Sequence, residues 1–153
     1  MNYKQPISTL VVIYTPALEV LLLERADRPG YWQSVTGSRD DEEPLSQTAA
    51  REAFEETGLD ARHYKLIDWH HQNEYEIYPF WRHRYAPGVT QNIEHVFGLE
   101  LPEPMPVKIS PREHLNYIWL PWQEAAKKCF SPTNRAMILK LPGKTPALPN
   151  EGY

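Results

Sequence analysis

Three glutamates, Glu52, Glu55 and Glu56, stand at i, i+3 and i+4 within Gly37–Leu59, GSRDDEEPLSQTAAREAFEETGL. If that stretch is helical, their carboxylates leave one face of the cylinder. Like charges at this spacing repel by about 0.2–0.5 kcal/mol per pair, and oxygens gathered on one face are what a hard divalent cation such as Mg²⁺ binds. Metal binding would remove the conflict that the spacing creates. Pro44 suits a first helical position, having no N–H to leave unpaired, and Gly58 suits the stop because it can turn left-handed. The helix is therefore expected to be short, about four turns. Carboxylates that hold a cation can neutralise negative charge and acidify a bound water.

The spacing also carries a family resemblance. Gly37, five residues, Glu43, seven residues, Arg51-Glu52, two residues, Glu55-Glu56, one residue, Gly58 and Leu59 resembles the complete Nudix box. Ala53 stands where that box commonly has a larger aliphatic residue, and Glu42 replaces a frequent loop glycine, a change expected to bear on the loop's conformation. A solvated acidic helix face with an Arg51–Glu55 pair is the plainer alternative, but it leaves the flanking glycines without a reason. The resemblance implies an α/β fold, a Nudix-type α/β/α sandwich with a mixed β-sheet, in which Ala49, Ala50 and Ala53 let the box helix approach the sheet. Glu52 and Glu56 are the expected metal ligands, with Glu55 a further ligand or a base acting through a water. Arg51 is expected to hold a box glutamate by hydrogen bonds, and Glu43 either to ligate through water or to act as a cap-like acid.

Substrate choice has to come from outside the box. Arg82–Phe97, RHRYAPGVTQNIEHVF, together with Tyr31–Gly37, YWQSVTG, resembles the bacterial dihydroneopterin triphosphate diphosphatases. That resemblance implies release of pyrophosphate from 7,8-dihydroneopterin triphosphate in folate biosynthesis, with Mg²⁺ or Mn²⁺ as cofactor. It adds Glu113 to Glu52 and Glu56 as a third metal ligand. It also implies substrate contacts by Lys4, Arg25, Thr36, Ser131 and the segment Tyr75, Glu76, Ile77 and Tyr78. Lys4 and Arg25 would neutralise phosphate, Tyr75 and Tyr78 would stack a planar pterin, and Glu76 would accept from its amino-pyrimidinone edge. Each has a plainer reading: Arg25 as a strand-end cation, Ser131 as a helix cap before Pro132, Tyr75 and Tyr78 as strand core. Arg82 and Arg84 alternate on an expected strand and point the same way, at a triphosphate site or at solvent. His83 and His114 lack a partner at ligand spacing and are read as structural. A broader nucleoside triphosphate pyrophosphohydrolase is the second reading. A non-catalytic Nudix-fold binding module is the third, although such a module would be expected to have lost box glutamates.

Positioning these residues takes a sheet. Ile7–Tyr14 is β-branched and apolar enough for a buried strand, Val20–Glu24 follows as its hairpin partner, and Trp32–Val35 runs into Thr36-Gly37. Tyr64–Gln72, Tyr75–Tyr85, Ile93–Leu101 and Tyr117–Leu120 are the remaining expected strands. Leu101–Pro111, with its prolines, reads as an irregular connection, and helices are expected near Pro121 and after Pro132. The domain is expected to span 1–141, with 142–153 as a tail. At 153 residues, 41% hydrophobic and 24% charged, the composition is that of one soluble globular domain. The longest apolar run, Leu10–Tyr14, is far too short to span a bilayer, and no signal-peptide pattern opens the chain. A cytoplasmic location and no membrane partner are expected. A net charge of −4 argues against a general nucleic-acid binder but leaves room for a phosphorylated small molecule beside a bound cation. The oligomeric state is not written in the sequence, and a monomer is the default. The lone Cys129 cannot form an internal disulfide and is read as a buried thiol.

Overall fold

The computed structural model describes residues 2–144. Strand β1, Ile7–Tyr14, lies at the centre because both of its faces are covered. Leu10, Val12 and Tyr14 belong to one buried cluster, while Val11 and Ile13 belong to the other. This accounts for a continuous apolar run in place of an alternating one. β1 runs parallel to β6, Gln91–Glu100, and β6 pairs antiparallel with β5, Lys65–Glu76. On its other side β1 has two partners. Its last residue pairs with β2, Glu19–Arg25, through Tyr14 and Val20, whereas Ser8 to Val11 pair with β4, Val35–Ser38. The sheet thus splits between β2 and β4, and a cleft opens there. β2 carries the short β3, Trp32–Gln33, and the long β7, His114–Pro121.

Helix α1, Leu45–Thr57, packs on one face of this mixed sheet. Ala49 and Ala53 are fully buried against it, and Ala50 is half-buried at the margin. α2, Trp122–Lys128, and α3, Pro132–Leu139, cover the other face together with α4, Leu141–Lys144. The expected α/β/α sandwich is observed. Pro44 is the residue before α1 rather than its first residue, and Gly58 ends the helix at φ 77°.

Three expectations need correction. The strand expected over Tyr75–Tyr85 does not form. β5 ends at Glu76 and Pro79–Arg84 is a 3₁₀ turn, because Pro79 cannot donate to a ladder and starts a helical turn readily. Arg82 and Arg84 therefore do not alternate along a strand. The strand expected over Trp32–Val35 is interrupted at Ser34, whose N–H donates to Asn134 Oδ1 at 2.8 Å. Residues 142–144 of the expected tail lie in α4, while 145–153 fall outside the described residues. No helix among the described residues is long and apolar enough to cross a membrane. Cys129 is buried, and burial pushes its thiol up to about 12.

Candidate active site

β4 delivers Thr36 and Gly37 to the cleft, and the loop after it turns into α1 so that Glu52 and Glu56 face the strand. A side chain at Gly37 would occupy the volume that the Glu52 carboxyl fills, so glycine leaves that carboxyl its place beside β4. The loop between them is braced from both ends. Glu43 accepts from the Asp40 N–H at 3.0 Å and the Thr48 hydroxyl at 2.8 Å, and Gln5 donates to the Asp41 carbonyl at 2.6 Å. The left-handed residue of this loop is Asp41, φ 48°, rather than Glu42, and aspartate tolerates that conformation better than most residues.

Arg51 ties the loop to the helix. Its guanidinium donates to Glu43 Oε1 at 2.6 Å, to Glu52 Oε1 at 2.8 Å and to the Ser38 carbonyl at 3.0 Å. These bonds hold the Glu43 carboxyl down at about 2, and the surrounding carboxylates raise Arg51 well above its ordinary value. Glu55, about half exposed, meets Arg51 at 3.4 Å. Neither Arg51 nor Glu55 lines the cleft.

The cleft is a cavity of about 1160 Å³. Glu52, Glu56, Glu113, Lys4, Arg25, Thr36, Tyr75, Glu76, Ile77, Tyr78 and Ser131 all line it. Glu56 is buried and its Oε1 has no hydrogen-bond partner. Burial, then Glu52 and then Glu113, push its carboxyl well above the usual range, and burial raises Glu52 as well. Glu113 ends the proline-rich connection, where its carbonyl accepts from the Ala26 N–H at 2.9 Å. The β2–β7 register shifts between Glu24 and Arg25 and sets Arg25 opposite His114, the residue after Glu113. His114, set aside as structural, lies 3.6 Å from Glu56 Oε1 through Nε2. Burial, and Arg25 after it, lower its imidazole to about 4, which leaves it neutral at pH 7.

Facing the acids is a cationic wall. Arg25 forks onto Asp27 at 2.8 and 2.9 Å, donates to Gln33 at 3.1 Å and stacks 4.2 Å above the Trp81 ring. Asp27 also accepts from Trp81 Nε1 and Arg84 Nη2, both at 3.0 Å; these contacts, led by Arg25, hold it below the usual carboxylate range. Lys4 is exposed to solvent but lines the cavity, where the walls partly enclose it. That desolvation and the nearby Arg84 lower its pKa, with Glu52 and Glu56 acting in the opposite sense. Tyr78, Trp81 and Phe130 form an aromatic corner with ring centroids 5.5–5.8 Å apart. Ser131 both lines the cleft and caps α3, accepting from the Asn134 N–H at 3.3 Å. Asp27, Trp81 and Phe130 were not singled out in the sequence, because their convergence depends on the turn at Pro79. Trp32 packs against the core instead of lining the cavity.

Comparison with known proteins agrees with this architecture. The NUDIX domain family matches residues 4–141. The chain belongs to the NUDIX domain family. Among its relatives, an Escherichia coli K12 protein named dihydroneopterin triphosphate diphosphatase is 46% identical over 139 residues, covering 89% of this chain and 91% of that one. A Haemophilus influenzae protein of the same name is 39% identical, covering 92% and 89%. The solved structure of the E. coli dihydroneopterin triphosphate pyrophosphohydrolase superposes with a TM-score of 0.88 at 43% identity, covering 95% of this chain and all of that one.

Nudix hydrolases generally need divalent metal ions, and the cleft residues fit one. Glu56 offers a buried oxygen with no protein partner, beside a second carboxylate whose repulsion a cation would relieve. Among the described residues no three His, Cys, Asp or Glu side chains are already drawn into a ligand cluster. Glu113 lines the same cavity, and its charge acts on Glu56.

Proposed function

We infer that this Nudix protein is a Mg²⁺-dependent dihydroneopterin triphosphate diphosphatase, hydrolysing 7,8-dihydroneopterin triphosphate to the monophosphate and pyrophosphate. The single observation that carries this reading is one cavity lined by the acidic pair Glu52–Glu56, by the cationic side chains Lys4 and Arg25, and by an aromatic corner. The names of relatives more than a third identical over nearly the whole chain support it.

In this reading Glu52, Glu56 and Glu113 hold the cation, Mg²⁺ by preference and Mn²⁺ as a substitute. When bound, it supplies neutralisation of phosphate oxygens and acidification of a water. Lys4, Arg25 and Arg84 bind the triphosphate and turn its anhydride toward the acids. Thr36 and Ser131 offer hydroxyl donors, and Ile77 shapes the wall. Tyr78 and Trp81 stack the ring, while Tyr75 and Glu76 close the cavity's far side. Arg51 positions Glu52 and does not touch substrate. Glu55, half exposed and off the cleft, shares Arg51 with Glu52 and in this reading acts through that arginine; the ligand or base role the resemblance implied for it has no place at the cavity wall. Water adds across the α–β anhydride, so one oxygen separates with the monophosphate and pyrophosphate leaves.

The test is pyrophosphate release from dihydroneopterin triphosphate with Mg²⁺, repeated with chelator and with Glu56→Gln. Release should vanish with chelator, and kcat should fall at least about a hundredfold in the variant. Undiminished turnover in E56Q would contradict the assignment.

A further inference from the structure

Glu94 is a carboxylate that this mechanism does not use. It is 3% exposed, on β6, and it lines the same cavity. Asn73 Nδ2 donates to it at a long 3.4 Å, and the Thr133 hydroxyl at the start of α3 gives it a further hydrogen bond. A buried acid with so little compensation is costly to keep. Its surroundings are also rich in acceptors. Asn92, two residues away on the same face, spends Nδ2 on Ser8 Oγ at 2.7 Å and Tyr75 Oη at 3.0 Å, and leaves Oδ1 without a partner. With one long amide contact and one hydroxyl on Glu94 and no partner on Asn92 Oδ1, this end of the cavity is short of N–H donors, and a ligand that belongs here should bring them.

The register fixes where that ligand would lie. Ser8 pairs with Ser38 of β4 on one side and with Glu94 of β6 on the other. Glu94 is therefore two strand spacings, roughly 10 Å, from the edge strand beside Glu52. A ring held at Glu94 leaves room for a short linker before its phosphates reach the acidic pair. Glu76, the acid expected to read the ring from the sequence, is mostly exposed and already paired with Arg82.

We propose that Glu94 is the specificity-determining acceptor of the cleft, taking paired hydrogen bonds from the ring N–H and the adjacent exocyclic amino group of a 2-amino-4-oxo pyrimidine edge, as in a pterin or a guanine. The inference rests on the reading of the cavity as a triphosphate-hydrolase site and deepens it. Two parallel N–H donors match the two oxygens of a carboxylate, whereas an adenine edge opposes an acceptor to them. Burial pushes the Glu94 carboxyl up to about 7, and a two-donor edge favours the charged form that burial opposes.

The experiment measures kcat and KM for pyrophosphate release from dihydroneopterin triphosphate, GTP, ITP and ATP by the wild type, Glu94→Gln and Glu94→Asp. ITP differs from GTP only in lacking the 2-amino group, so the wild type alone already reads that contact. Wild type should prefer GTP to ITP and to ATP by at least about tenfold in kcat/KM. E94Q should lose most of that preference through KM, and E94D should keep its sign. Equal use of GTP and ITP by the wild type would overturn the inference. So would an equal loss on all substrates in kcat alone, which is the signature of a structural role. Failure to hydrolyse dihydroneopterin triphosphate would instead remove the functional reading, leaving the GTP, ITP and ATP comparison to decide Glu94.

Discussion

Gly37 illustrates how the site is set residue by residue. It is the point where the carboxyl of Glu52 passes over the backbone of β4, and a β-carbon there would displace that carboxyl. Gly37→Ala should therefore cost little stability, because the clash is with the flexible end of Glu52, and reduce kcat more than tenfold, because the displaced carboxyl is a proposed metal ligand. Chemical denaturation and steady-state kinetics read the two effects separately; full activity would mean that Glu52 can relocate freely. The glycine and the glutamates were legible from spacing. Glu94 was not, because an acid in the alternating QNIEHVFGLE reads as solvent-facing until its burial and its hydrogen bond from Thr133 of α3 are seen.

Among the elements, the loop and first turn of α1 depend on the Arg51 fork. Glu43 has its carboxyl held at about 2 in the folded protein. Its folded value lies below the unfolded one, so its stabilisation is fully present above the ordinary glutamate pKa and is lost as pH falls toward 2. Arg51→Met should lower the Tm at pH 7 by roughly 5 °C, and this difference should shrink progressively in melts below about pH 4.5. A difference independent of pH would assign the loss to packing of the arginine stem instead. α1 itself was readable from Pro44 and Gly58, and β1 from its β-branched run. The 3₁₀ turn at Pro79–Arg84 was hidden because aromatic residues of high strand propensity surround the proline that breaks the strand. That turn brings Trp81 and Arg84 to Asp27, more than fifty residues earlier in the chain, a closure that local pattern does not encode.

For the whole molecule, splitting the sheet between β2 and β4 creates a cavity that reaches from the α1 acids to the α3 face. Reaction type and substrate choice are carried by different strands of it. The box residues on β4 and α1 supply the acids. The end of the cavity where the proposed ring would sit is built by β5, β6, the Pro79 turn and the start of α3, which is why the box alone named a reaction and left the substrate open. A purine and a pterin present similar planar faces to Tyr78, Trp81 and Phe130, so stacking does not choose between them and edge contacts must. The most direct measurement is kcat/KM for pyrophosphate release from dihydroneopterin triphosphate against dATP and dGTP, with saturating Mg²⁺. The account predicts that dihydroneopterin triphosphate exceeds both, with dGTP ahead of dATP. A wide preference for either deoxynucleotide over dihydroneopterin triphosphate would contradict it.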